Sequence, residues 1–277
     1  MALKKQAPRR RVRPTGGRPA AIMPVADDNP YVKIMLYGEP GVGKTVFVGT
    51  SPNCLILSHD PDELASAKHH GSTAERWHVS DYNDLTDAYE WLRANPGSYD
   101  WVWLDNGTLF QEQGMDQIML DLVAGKPHRN QFIPDKPEYQ ENQNRLGTLI
   151  RQLKALPVNF GVTAHVMRMY DQEEEDKVTL MPLFQGGQGQ LSQKFCGYMG
   201  VIAYMQARYT KEGFENFIIT RARNRIYAKD RFNAIPGGRM VNPTVPKVME
   251  LINQARDVQD KTPSVAPKKR TIQKRSA

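Results

Sequence analysis

From Tyr31 onward, short apolar runs alternate with longer stretches of helical spacing. The runs at 32–37, 54–58 (Cys-Leu-Ile-Leu-Ser), 76–79, 101–104 (Trp-Val-Trp-Leu) and 158–164 (Val-Asn-Phe-Gly-Val-Thr-Ala) read as strands. Residues 83–94, 107–123 and 138–155 have helical spacing, and 124–137, broken by Gly125, Pro127, Pro134 and Pro137, reads as a long excursion. This alternation predicts a mostly parallel sheet flanked by helices. After residue 165 the rhythm changes. The charged stretch 171–177 reads as a hairpin tip or mobile loop. Strand-like segments follow at 178–182, 199–206 and 215–221 with one short helix at 189–197, then a last helix at 245–254. The expectation is an α/β domain whose sheet continues into an antiparallel C-terminal extension.

The first run leads into Gly38-Glu39-Pro40-Gly41-Val42-Gly43-Lys44-Thr45, a full match to G-x-x-x-x-G-K-[ST] placed after a strand and before a helix. In that context the glycines let successive backbone N–H groups turn toward phosphate oxygens. Lys44 supplies charge to the β- and γ-phosphates, the Thr45 hydroxyl can ligate Mg²⁺, and the helix N-terminus favours the anion. The loop predicts binding of a nucleoside triphosphate, with ATP and Mg²⁺ as cofactors. A hydrated Mg²⁺ also needs a carboxylate, and Asp105 at the end of the Trp-Val-Trp-Leu run supplies one at a strand's C-terminal edge. Asp105 could instead cap the helix that follows.

Hydrolysis needs a group to polarise water. The second strand ends in Ser58-His59-Asp60-Pro61-Asp62-Glu63, where Asp60 is the first choice and Glu63 the second; a capping cluster on a turn is the alternative. His165 ends the 158–164 run and fits a γ-phosphate sensor as well as a structural histidine.

Charge refines the domain limits. The 277-residue chain carries a formal +7, but seven basic residues and no acid lie in 1–20, and six with no acid in 261–277. The stretch between them is therefore acidic, at −6. This predicts a basic arm at 1–29, a domain at 30–256 and a basic tail at 257–277, with the arms, too poor in apolar residues to build a core, suited to polyanions. Cys54 and Cys196 are far apart and read as small core residues. No apolar run reaches transmembrane length and the basic N-terminus lacks a signal peptide's apolar region, so a soluble protein of a reducing, cytoplasmic compartment is expected, with no membrane contact.

Taken together, the loop at 38–45, Asp105 at a strand end and the strand running into His165 resemble the RecA-like P-loop ATPases, the group of strand-exchange recombinases and DnaB-type helicases. Ile218 through Arg231, with Lys229 and Arg231 two apart, resembles the strand-borne pair with which that group reaches a neighbour's γ-phosphate. The string His165-Val-Met-Arg, the acidic hairpin, Met181-Pro-Leu-Phe-Gln-Gly-Gly and Ala228-Lys-Asp-Arg is similar to phage-encoded RecA-like ATPases of single-strand annealing and recombination. The resemblance implies a ring- or filament-forming homo-oligomer. It further implies an ATPase stimulated by single-stranded DNA in recombination, repair or replication, in a host cytoplasm and beside a single-strand-binding protein. The catalytic set would be Lys44, Asp60, Asp105, His165, Lys229 and Arg231. The acidic loop after His165 moves expected DNA contact to the arms and to Arg221, Arg223 and Arg225. Two other functions fit: a DnaB-type helicase motor or loader, and a nucleotide-dependent assembly factor with little turnover.

Overall fold

The computed structural model describes residues 30–60, 62–170, 178–211, 213–223 and 225–261. The basic N-terminal residues, the charged stretch 171–177 expected as a hairpin tip or mobile loop, and the basic residues after 261 lie outside the described residues.

Eight strands lie side by side in the order β11-β9-β8-β1-β5-β4-β2-β3, with β10 added against β8. They are β1 (Lys33–Tyr37), β2 (Cys54–Ser58), β3 (Glu75–His78), β4 (Trp101–Leu104), β5 (Asn159–Ala164), β8 (Val201–Thr210), β9 (Gly213–Ile219), β10 (Lys229–Asp230) and β11 (Arg239–Val241). From β3 across to β8 every pairing is parallel, and β9, β10 and β11 pair antiparallel. A separate antiparallel ribbon, β6 (Val166–Tyr170) with β7 (Val178–Pro182), follows β5. The mostly parallel sheet with an antiparallel C-terminal side is the architecture expected from the sequence, but 178–182 pairs with β6 in the ribbon rather than joining the sheet, and β8 continues the parallel part beside β1.

The central strands are apolar throughout because both faces are covered. On one face Met35, Tyr37, Val102, Leu104, Phe160 and Val162 meet α3 (Tyr82–Ala94), α4 (Gly107–Gly125), α5 (Lys136–Ala155) and α6 (Gln190–Tyr198). On the other, Ile34, Leu36, Ile56, Trp101, Trp103 and Met205 meet α1 (Lys44–Gly49) and α7 (Val245–Lys261). A short helix, α2 (Ala65–His69), follows a 3₁₀ turn at Asp62–Leu64 and lies beside α1. Both cysteines are free and buried, as expected. The last helix runs past Gln254 and takes in residues 257–261, which composition assigns to the tail. Its buried Val245, Val248 and Ile252 anchor a segment with no Gly or Pro between Pro246 in its first turn and Pro263 to stop it.

One packing detail fixes the centre of the sheet. Trp103 lies opposite Gly161 across β4 and β5, its indole N–H donates to Ser51 Oγ at 2.9 Å, and its ring stacks on Trp101 at 5.4 Å. A Cβ on Gly161 would lie 2.1 Å from the Trp103 ring. Gly161→Ala is therefore expected to destabilise the domain by about 1–3 kcal/mol through overpacking. A lower urea midpoint with an unchanged slope would report it; an unmoved midpoint would mean the indole has room to retreat.

Candidate functional site

The loop from Gly38 to Thr45 is shaped by its neighbours as well as its glycines. Gly41 and Gly43 sit at φ 78° and 94°, the left-handed region that glycine enters without strain. Gly43 is restricted twice, since a Cβ there would fall 2.4 Å from the side-chain amide nitrogen of Asn216 on β9. At Gly38 a Cβ would meet the Met205 carbonyl oxygen of β8 at 2.4 Å. No side chain caps α1, whose N-cap is Gly43, so its first N–H groups remain available to an acceptor. Lys44 is buried and donates to the carbonyls of Gly38 (3.0 Å) and Glu39 (2.9 Å). Burial lowers its pKa, against the pull of the Asp105, Glu39 and Glu63 carboxylates. Glu39 is itself exposed, while Val42 packs on the α1-side core.

Strand register assembles the acidic wall. Leu104 pairs with Val162, so Asp105 follows beside Thr163, which in turn pairs with Leu36 of β1. The Asp105 carboxylate accepts hydrogen bonds from Thr163 Oγ1 and, at 3.0 Å, from Thr45 Oγ1. Burial raises its pKa, while both hydroxyls and the Lys44 charge oppose the rise. Capping of α4 falls to Asn106, whose Oδ1 accepts from Leu109 N–H at 2.9 Å. Asp105 is thus left to face Thr45. The Asp105–Asn106 peptide bond is cis.

The two candidate acids after β2, Asp60 and Glu63, are placed differently. Asp60, the first choice from sequence, turns its carboxylate back on its own turn, where Oδ1 accepts from Asp62 N–H at 2.8 Å. Glu63 is the acid that lines the cavity. Asn106 Nδ2 donates to Glu63 Oε1 (3.4 Å) and also faces His165 Nε2 (3.3 Å). Glu63 Oε2 is buried with no hydrogen-bond partner among the described residues. Burial, together with the nearby Asp105 and Asp60 carboxylates, pushes Glu63 up to about 7. Burial and the Lys44 charge lower His165, which fits a neutral ring accepting at Nε2.

These groups enclose a cavity of about 430 Å³, lined by Pro40, Gly41, Gly43, Lys44, Thr45, Val46, Glu63, Ser66, His70, Asp105, Asn106, His165, Phe214 and Asn216. Lys229 and Arg231 do not line it. Lys229 Nζ donates to the Cys196 carbonyl at 3.2 Å, and Arg231 is exposed. The two lie close enough that Arg231, after burial, lowers the Lys229 pKa. Asn106, Thr163, Phe214 and Asn216 were absent from the expected site. Asn106 follows the strand-end acid directly and could have been suspected; the other three reach the site only through sheet register.

The set has the chemistry of a nucleotide site: a glycine loop leading into a helix that no side chain caps, a lysine folded back on that loop, and a hydroxyl and carboxylate 3.0 Å apart that suit a hard cation such as Mg²⁺. Fold and loop define a P-loop NTPase with a mostly parallel sheet. The sequence pattern of the AAA domain family matches residues 31–232, and the chain belongs to that family. None of the curated proteins matches it. Among solved structures, a KaiC-like protein from the hyperthermophilic archaeon Pyrococcus horikoshii OT3 is similar at 13% identity and a TM-score of 0.35, over 76% of this chain and 89% of that one. The RadB recombinase is similar at 12% and 0.40, over 68% and 79%. The ATPase domain of G40P is similar at 15% and 0.36, over 72% and 77%. No described helix is long and apolar enough to cross a membrane.

The raised Glu63 pKa has a stability consequence. Between its ordinary 4.5 and about 7, the folded chain keeps a proton that the unfolded chain has released. Stability from this group is therefore full below about pH 4.5 and is lost as pH rises to 7. Glu63→Gln should match the wild-type melting temperature at pH 4.5 and exceed it at pH 8. Parallel shifts at both pH values would mean that Glu63 titrates normally.

Proposed function

We propose that the protein binds and hydrolyses ATP with Mg²⁺, as an oligomer acting on single-stranded DNA. One observation carries the reading: a single cavity gathers the P-loop, Lys44, the Thr45–Asp105 pair and a half-buried Glu63 with a free oxygen. The loop N–H groups and Lys44 bind the phosphates, and Thr45 with Asp105 would hold the cation, which when bound offsets phosphate charge. Glu63 Oε2 takes a proton from the attacking water as the new bond to the γ-phosphorus forms, and ADP leaves with the electron pair of the broken bridge. A pKa near 7 suits that base. Asn106 orients Glu63 and connects it to His165 at the end of β5, where the β6–β7 ribbon begins.

Among the described residues lining the cavity, Lys44 is the sole Lys or Arg. The additional positive charge that phosphoryl transfer calls for is assigned to Lys229 and Arg231 of a second copy. DNA contact is assigned to the basic arms and to the exposed Arg221, Arg223 and Arg225. Roles in phage recombination, repair or annealing, and a single-strand-binding partner, follow from the family resemblance of the motifs. The presence of Glu63 beside Lys44 and Asp105 favours turnover over a passive assembly factor.

Steady-state ATP hydrolysis with and without single-stranded DNA tests this directly. Lys44→Ala should abolish turnover. Glu63→Gln should lower kcat by roughly 10²-fold or more while keeping ATP binding, and Asp60→Asn should keep most activity. A fully active Glu63→Gln variant would overturn the assignment of the base, and no stimulation by DNA would remove DNA from the reading. Arg231→Ala should bind ATP yet fail to turn over. Mixing it with Lys44→Ala should restore part of the activity, because each copy supplies the half the other lacks; complete failure of the mixture would place Arg231 outside the neighbour's site.

A further inference from the structure

We propose that the β8–β9 hairpin is the nucleoside-binding half of the pocket, with the Phe214 ring stacking on the base and the Asn216 carboxamide accepting a hydrogen bond from the nucleoside. The inference rests on the nucleotide-site reading above.

Topology gives the direction. β5 and β4 lie on one flank of β1, and β8 and β9 on the other. Asp105, Thr163 and His165, which suit the terminal phosphates and the cation, are all on the first flank. A nucleotide so anchored across the loop extends its nucleoside toward the second flank. Side-chain alternation then selects the face. Phe214, Asn216 and Ile218 share one face of β9, opposite Tyr209, Ala207 and Met205 of β8. Ile218 and Met205 belong to the core beneath α1, so the hairpin turns this face toward the side on which the P-loop helix sits. Phe214 and Asn216 accordingly line the cavity.

The chemistry of the two side chains agrees. Phe214 is 50% exposed, and its ring meets Tyr209 edge-to-face at 5.3 Å, so it is held as a flat platform with uncovered apolar surface. A base stacks on such a platform whatever its identity. Asn216 Oδ1 is buried and lacks a partner among the described residues. Its backbone is fixed by Asn242, which accepts at Oδ1 from Asn216 N–H (3.3 Å) and donates its own N–H to the Asn216 carbonyl (2.7 Å). An ionised triphosphate offers only acceptors. The donors that could satisfy Oδ1 are ribose hydroxyls and base amino groups.

The test is calorimetric titration of Mg²⁺-ATP and Mg²⁺-tripolyphosphate into the full chain and its variants. Phe214→Ala should weaken ATP by about tenfold and leave tripolyphosphate unchanged, and Asn216→Ala should lower the same affinity ratio. Phe214→Trp should restore ATP binding, with an added emission that ATP quenches and tripolyphosphate does not. Phe214→Ala binding ATP like the wild type, or losing both ligands equally, overturns the proposal. Exposed Phe214 makes loss of fold a poor explanation, and an unchanged melting temperature checks it. Wild-type protein that binds neither ligand, or Lys44→Ala that keeps both, would sink the nucleotide-site reading itself. Equal wild-type affinity for both ligands, with Lys44→Ala weakened for each, would sink only the role of the hairpin.

Discussion

The site is organised around a carboxylate buried at the centre of the sheet. Asp105 is 3% exposed, and a buried charge without partners would cost several kcal/mol. Its partners come from two other strands' ends: Thr163 from β5, and Thr45 from the first turn after β1. That requires β1, β5 and β4 to lie side by side, parallel and in register, so that their C-terminal ends reach one edge together. Once Asp105 is fixed, Asn106 caps α4, and its carboxamide is left to face Glu63 and His165. The same carboxylate helps hold a proton on Glu63, since two acids so close resist ionising together.

The parts of this arrangement that sequence reveals are those whose chemistry is local. The P-loop is legible because glycines, lysine and threonine act through backbone and side chains within eight residues. Asp105 is legible because a strand end is marked by the close of an apolar run. Lys229 and Arg231 are expected from sequence to share one strand face, but β10 ends at Asp230 and Arg231 lies in the turn beyond it. The positions of Asp60 and Glu63 are not local in this sense. They depend on Asp60 closing a turn on Asp62 N–H and on the 3₁₀ turn at Asp62–Leu64, which carries Glu63 round to the cavity. Composition around Pro61 is equally acidic at both places. Phe214 and Asn216 lie far from the loop in sequence, and nothing in their neighbourhood marks them. They arrive through the pairing of β9 with β8 and of β8 with β1. The short strands β10 and β11, two and three residues long, are beneath the length at which alternation can be read.

Charge balance explains why a second copy belongs in the functional reading. The cavity wall carries Glu63 and Asp105 against one lysine, and the ligand proposed for it is itself a polyanion. A bound cation offsets part of that charge, yet charge that grows on the leaving and transferring groups calls for a further positive group. Lys229 does not supply it within its own chain, because β10 is separated from β1 by β8 and its ammonium is engaged with the Cys196 carbonyl. Arg231 is exposed and close to Lys229, which is why the proposal assigns the pair to a second copy.

A physical connection between the loop and that pair already exists in the chain. The Tyr37 hydroxyl, on the residue just before Gly38, lies 2.9 Å from the Leu180 carbonyl and 2.8 Å from that of Tyr227. Leu180 belongs to β7 of the ribbon after His165, and Tyr227 leads directly into β10. Leu180 N–H also donates to the Arg225 carbonyl, and Tyr227 N–H to that of Leu180, so the two segments are joined directly. Tyr37 is buried, which raises its pKa and keeps the hydroxyl a donor across the working pH range. These bonds tie the residue that precedes the P-loop both to the ribbon and to the segment that leads into Lys229. On the reading proposed above, one hydroxyl joins the phosphate loop to the pair assigned to a neighbour's site.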